Sequence, residues 1–135
     1  MKIKIIDYSY KQKPIRAHYN DAGLDVFCME KTRLFPNSTS KIPLGFGVEI
    51  PDGYVGFICP RSGLSSKGIT CELSPIDSGY RGQIHAIMTN CTNVDYIINE
   101  NDKIGQLVIL PCVLPDLVEE LINDRGTNGF NSTGK

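Results

Sequence analysis

Tryptophan is absent from the 135 residues, and only two histidines occur, His18 and His85. Neither has a serine or cysteine partner at an interpretable spacing, so histidine-activated nucleophilic catalysis is not expected. The five cysteines, Cys28, Cys59, Cys71, Cys91 and Cys112, form no Cys-x-x-Cys pair. A zinc cage needs close ligand pairs and usually histidines, so an odd, dispersed set reads as buried free thiols in a reducing cytosol. No apolar run is long enough to span a membrane. The start, Met1-Lys2-Ile3-Lys4-Ile5-Ile6, is too short in its apolar part and too soon charged for a signal peptide. A cytoplasmic location follows as the expectation, or a nuclear one for a eukaryotic or viral source. Basic residues are scattered, with no block or stripe, and the formal charge is −1. Neither polymeric nucleic acid nor a membrane is expected as a partner, whereas a single nucleotide needs only a few placed arginines.

What is present is β-rich. With 41% hydrophobic content, the length suits one compact domain with a sizeable core. Short runs at residues 2–8, 24–29, 45–50, 54–59, 83–89, 96–98 and 103–110 read as strands between turn signals. Pro51-Asp52-Gly53 is a strong turn, and the runs on either side of it predict a hairpin. Helical period is nearly missing: residues 62–66 make at most one turn, and 117–122 read as helix or edge strand. Eight prolines and thirteen glycines suit many short strands, hence an all-β sandwich, jelly roll or barrel. No repeat and no second domain is visible. Residues 1–122 form the predicted domain. Residues 123–135 hold one large apolar residue, Phe130, and cannot bury enough surface to order themselves.

The chemistry concentrates in a few segments. Pro75-Ile76-Asp77-Ser78-Gly79-Tyr80-Arg81-Gly82 puts a carboxylate beside a tight turn, followed by an aromatic, an arginine and a glycine. Pro60-Arg61-Ser62-Gly63-Leu64 lies upstream, and Arg125 and Phe130 flank a glycine-rich stretch in the tail. Together these supply donors for phosphate, rings for stacking and one candidate base. The ending Gly129 to Lys135 fits the first seven positions of a Walker phosphate loop. That loop needs a strand before it and a helix after it, and none is expected here.

In order along the chain, five segments resemble the five motifs of the trimeric dUTPase family. They are Ala22-Gly23-Leu24-Asp25, Pro60 to Leu64, Ile76 to Gly82, Asn101-Asp102-Lys103-Ile104-Gly105-Gln106-Leu107, and Arg125-Gly126 through Phe130 to Gly134. The resemblance implies a jelly-roll-like β-barrel subunit with a flexible C-terminal arm, assembling as a homotrimer with active sites at subunit interfaces. It implies hydrolysis of dUTP to dUMP and pyrophosphate with Mg²⁺. By the same resemblance Asp77 orients the attacking water as base, Gln106 holds a phosphate oxygen or that water, and Arg125 stabilises charge as the arm closes. Arg61, Ser62 and Gly63 meet the phosphates, Tyr80 lies against the deoxyribose, and Ser74, Pro75, Ile76 and the backbone of His85 recognise uracil. Phe130 stacks on the base, Asn131, Ser132 and Thr133 complete the closing loop, and Asp25 orients waters around the metal ion.

The family usually carries glycines where this chain has Glu72 to Pro75, and Gly and Arg where it has Asn101 and Lys103. Asn128 and Asn131 also stand where glycine is common. Two alternatives share the fold or the ligand: a dCTP deaminase or bifunctional deaminase–triphosphatase, for which Glu72 is the only base candidate, and a dUTP-sensing module without catalysis.

Overall fold

The computed structural model describes residues 1–122. Ten short strands and a single helical turn follow one another: β1 (Ile5–Asp7), β2 (Gly23–Phe27), β3 (Thr32–Leu34), β4 (Ser38–Pro43), β5 (Phe46–Val48), β6 (Tyr54–Cys59), α1 (Ser62–Ser65), β7 (Ile69–Cys71), β8 (His85–Asn90), β9 (Tyr96–Ile98) and β10 (Lys103–Pro111). All pairings are antiparallel. They make two three-stranded sheets, β2-β10-β6 and β4-β8-β7, and two ribbons, β1-β5 and β3-β9.

The alternation in β8 shows why the pattern folds this way. Ala86, Met88 and Asn90 point inward and are buried, while His85, Ile87 and Thr89 lie on the opposite, part-exposed face. One core takes side chains from every sheet, including Val26, Leu34, Phe46, Ile58, Met88 and Ile104. Burying a polar group there costs stability unless it is hydrogen-bonded. Asn90 meets that condition: its amide donates to the carbonyls of Leu34 and Val94, and its oxygen accepts from the Thr92 backbone and hydroxyl. All five cysteines are free thiols, but the expectation that they are buried holds only for Cys28: Cys59, Cys71 and Cys112 are part-exposed and Cys91 is exposed. Burial pushes the Cys71 thiol up to about 11.

Two further expectations are corrected. The turn at Pro51-Asp52-Gly53 forms, with Tyr54 N–H donating to Pro51 C=O at 3.2 Å and Gly53 at φ +84°. The runs beside it do not pair as a hairpin. β5 pairs with β1, while one edge of β6 is taken by β10 and the other, at Gly56, by a bridge to Ile76. The turn is therefore a corner between sheets. Residues 117–122 are neither helix nor strand: Leu117, Val118, Leu121 and Ile122 are at least 84% exposed. So short an apolar run forms no helix without a surface to bury against, and no described strand pairs with it. Three strands, β3, β4 and β7, had no counterpart in the sequence reading.

Candidate active site

The first of two clefts is built by the excursion between β7 and β8. Glu72 N–H donates to Ile87 C=O at 2.7 Å, prolonging the ladder by one residue before the chain leaves the sheet. Ile76 then docks on β6, exchanging two backbone hydrogen bonds with Gly56 at 2.7 and 3.0 Å. This bridge fixes the residue that follows, Asp77. Tyr80 N–H closes a turn on Asp77 C=O at 3.0 Å, and the Tyr80 hydroxyl donates to Gln83 C=O at 2.7 Å. The turn rests on the β1-β5 ribbon: Arg81 pairs with Glu49, the Tyr8 hydroxyl donates to Arg81 C=O at 3.0 Å, and Gln83 accepts from Gly45 N–H at 2.9 Å.

The resulting cleft measures about 300 Å³ and is lined by Lys41, Glu72, Ser74, Pro75, Ile76, Asp77, Tyr80 and His85, among others. Six of the residues predicted for base, sugar and water thus converge. Tyr80 is 46% exposed, so it is no core tyrosine; its ring edge is tied back and its surface left open. Burial, and then the charge of Lys41, hold the His85 imidazole below its ordinary range.

The second cleft, about 410 Å³, lies beside α1 and the β9–β10 turn. Arg61, Gly63, Lys67, Tyr96, Asn101, Asp102 and Lys103 line it, with Leu64, Ile98 and Ile104. Arg61 sits at the cap of α1 in an extended conformation and donates to Lys103 C=O at 3.0 Å. A Cβ on Gly63 would meet nothing within 4 Å, so its backbone faces open space that a phosphate can approach. Ser62, the first residue of α1, is exposed beside it.

Gln106 is central in the β2-β10-β6 sheet, opposite Asp25 on one side and Cys59 on the other. Its side chain covers Gly23, where a Cβ would come within 2.8 Å of both Gln106 Cβ and Oε1. Asp25 pairs with Lys103 at 3.2 Å and is only 17% exposed at its side chain. Among the described residues no three His, Cys, Asp or Glu side chains converge as a metal cage.

Within one chain the two clefts share no lining residue. Sequence reasoning did not assign Lys41, Lys67, Tyr96 or Lys103 to either cleft. Lys103 was visible only as a departure in the fourth motif, and Lys41 enters through β4, itself unforeseen. Arg125, Phe130, Asn131, Ser132 and Thr133, together with the whole proposed arm, lie outside the described residues.

The profile of the dUTPase family matches residues 9–134, nearly the whole chain. The chain belongs to the dUTPase family. A deoxyuridine 5'-triphosphate nucleotidohydrolase of Clostridium tetani is 38% identical, the match covering all of this chain and 97% of that protein. One of Clostridium novyi is 40% identical over 90% of this chain and 89% of its own length. The dUTPase of phage phi11 of Staphylococcus aureus, in a D95N form described for coordination of a structural Mg(II) ion, superposes with a TM-score of 0.83. It is 31% identical, over 89% of this chain and 97% of that one. The mostly β architecture is thus that of the dUTPase fold, and the deaminase alternative finds no counterpart among these relatives.

Proposed function

We propose that this dUTPase-family enzyme hydrolyses dUTP to dUMP and pyrophosphate by attack of water on the α-phosphorus, with Asp77 as the orienting base. The activity itself is that of the family and of the relatives matched over nearly the full chain. The observation that carries the assignment of residues is the Gly56–Ile76 bridge, which fixes Asp77 on the rim of the cleft that Tyr80 and the β7–β8 excursion line. A carboxylate held there can accept the proton of water as it attacks. Tyr80, tied to Gln83, presents a ring against which a 2′-hydroxyl would clash. Ser74, Pro75, Ile76 and the His85 backbone supply donors and acceptors for the base.

Phosphoryl transfer asks the protein for alignment and charge neutralisation rather than covalent chemistry. Arg61, Ser62 and Gly63 would hold phosphate oxygens in the second cleft, and Gln106 a phosphate oxygen or the water. Asp25 suits Mg²⁺ only through water, because a lone carboxylate already paired with Lys103 cannot form an inner-sphere cage. Bound on the triphosphate, Mg²⁺ would neutralise charge on the leaving pyrophosphate. Arg125 and Phe130 of the arm, with Asn131, Ser132 and Thr133, would close over phosphates and base.

A jelly-roll subunit in a homotrimer accounts for two features of the single chain. The phosphate and base clefts are separate surfaces, and Val113, Leu114, Leu117 and Val118 stand exposed after β10. An active site completed by a neighbouring subunit would unite the first and cover the second. No helix among the described residues is long and apolar enough to cross a membrane. A cytoplasmic or nuclear enzyme that limits uracil in DNA and supplies dUMP fits this reading. The test is pyrophosphate release with dUTP, dCTP, dTTP and UTP in parallel, for the wild type and Asp77→Asn. Selective dUTP cleavage, falling about 10²–10⁴-fold in kcat with substrate binding retained in the variant, is expected. Binding of dUTP without turnover by the wild type would instead favour the sensing module.

A further inference from the structure

Asp77 and Tyr80 share a turn whose two ends need separate anchors. The Gly56–Ile76 bridge holds the end that leads into Asp77. We propose that Tyr8 is the positioning residue for the other end: its hydroxyl, donated to Arg81 C=O, keeps the Tyr80 ring and the Asp77 carboxylate in place. This rests on the reading of Asp77 as the base and of Tyr80 as the sugar platform.

Tyr8 follows β1 and extends the pairing of that strand, its N–H donating to Gly45 C=O at 2.9 Å. The chain then turns at Ser9, whose φ of +71° is a conformation that serine rarely adopts. Asp7 holds it there, one carboxylate oxygen accepting from Ser9 N–H at 2.7 Å and from Tyr10 N–H at 3.2 Å. A costly backbone conformation persists only where its surroundings fix it, and such places gather at functional sites. Here it carries the Tyr8 hydroxyl to within 3.0 Å of the Arg81 oxygen. Gly47 lets the two backbones meet: a Cβ there would come within 2.6 Å of the Gly82 oxygen and 2.7 Å of the Arg81 oxygen.

Tyr8 also supports Tyr80 from behind. Gly45, which accepts from Tyr8 N–H, donates its own N–H to the Gln83 side chain at 2.9 Å, and Gln83 C=O receives the Tyr80 hydroxyl at 2.7 Å. The pairing of Arg81 with Glu49 grips only the end of a long, solvent-accessible side chain, and such pairs constrain little. Tyr8 instead grips the backbone one residue beyond Tyr80. Neither Asp7 nor Tyr8 lies in any of the five motifs, so the hold is visible only in the folded chain.

The experiment measures hydrogen–deuterium exchange of the free protein across residues 78–82, and kcat and KM for dUTP and UTP. A loss of folded protein lowers both rates alike and cancels in the dUTP-over-UTP ratio of kcat/KM, so that ratio reports the place of Tyr80 and not stability. Tyr8→Phe keeps the ring and loses only the hydroxyl. It should speed exchange across the turn about three- to tenfold, the worth of one hydrogen bond, with β8 and β10 unchanged. The dUTP-over-UTP preference should fall by about the same factor. Asp7→Ala should move both readings in the same direction, and Asp7→Asn, which keeps an acceptor for the same turn, should restore them. A Tyr8→Phe enzyme with unchanged preference overturns the proposal, whatever its exchange, and leaves the dUTPase reading intact. A wild type that cleaves UTP as readily as dUTP overturns the role of Tyr80 on which the proposal rests.

Discussion

Gly82 and Tyr80 show how a single missing carbon can set a functional surface. A Cβ at Gly82 would lie 2.6 Å from the Tyr80 hydroxyl oxygen and 2.8 Å from Cζ. No real Cβ tolerates that approach, yet Tyr80 is an exposed side chain held by one side-chain hydrogen bond, to Gln83 C=O, and can swing outward if that bond breaks. The conflict would therefore be relieved by moving the ring rather than by unfolding the turn. Gly82→Ala should melt within a few degrees of the wild type, in keeping with the loss of one exposed hydrogen bond worth about 1 kcal/mol. On the role proposed for Tyr80, its KM for dUTP should rise and its rejection of UTP should fall, because the ring would no longer stand where a 2′-hydroxyl would clash. Parallel kinetics with dUTP and UTP, alongside a thermal melt, check this; a large fall in Tm with unchanged discrimination would contradict it. At this scale the sequence was informative about identity and silent about support. Asp77 and Tyr80 stand out in a motif, but the Gln83 carbonyl that holds Tyr80 and the Gly56 bridge that fixes Asp77 lie elsewhere in the chain.

The elements divide into those that local chemistry specifies and those that tertiary contacts create. Gly53 belongs to the first group. Its φ of +84° is a conformation that glycine adopts without strain, and its carbonyl accepts from Cys112 N–H at 2.8 Å, tying the corner to the end of β10. Gly53→Ala would meet no neighbour within 4 Å, so the whole penalty is backbone strain. A loss of about 1–2 kcal/mol is expected, read as a lower urea midpoint with an unchanged slope. The predicted strands at 54–59, 96–98 and 103–110 formed because their β-branched and aromatic runs are flanked by turn residues. β4 was not legible: Ser38-Thr39-Ser40-Lys41 is polar, and only pairing with β8, with Ile42 turned into the core, makes it a strand. β3 and β7, three residues each, are too short to show a period. The hairpin expected around Gly53 failed for a related reason. Turn chemistry fixes a change of direction, whereas partners are fixed by which edges remain free.

At the scale of the whole molecule, the separation of the clefts carries the consequence for assembly. Arg61 and Asp77 line different surfaces of one chain, yet the proposed reaction needs both around one triphosphate. A monomer working alone cannot reconcile these demands unless the clefts are brought together within it. A symmetric ring in which each subunit offers its phosphate cleft to its neighbour's base cleft satisfies both. Arg61→Ala and Asp77→Asn should each be nearly inactive as purified proteins. Unfolding the two together at equal amounts and refolding them as mixed trimers should restore activity. A shared site then needs an intact Arg61 from one subunit and an intact Asp77 from the next, so roughly a quarter of sites would be whole by random mixing. Each subunit is 14.9 kDa, so light scattering on the same samples would establish whether three chains are present. Trimers that regain no activity on mixing would mean that each site draws both residues from a single chain, and the clefts would then have to close on one another within the subunit.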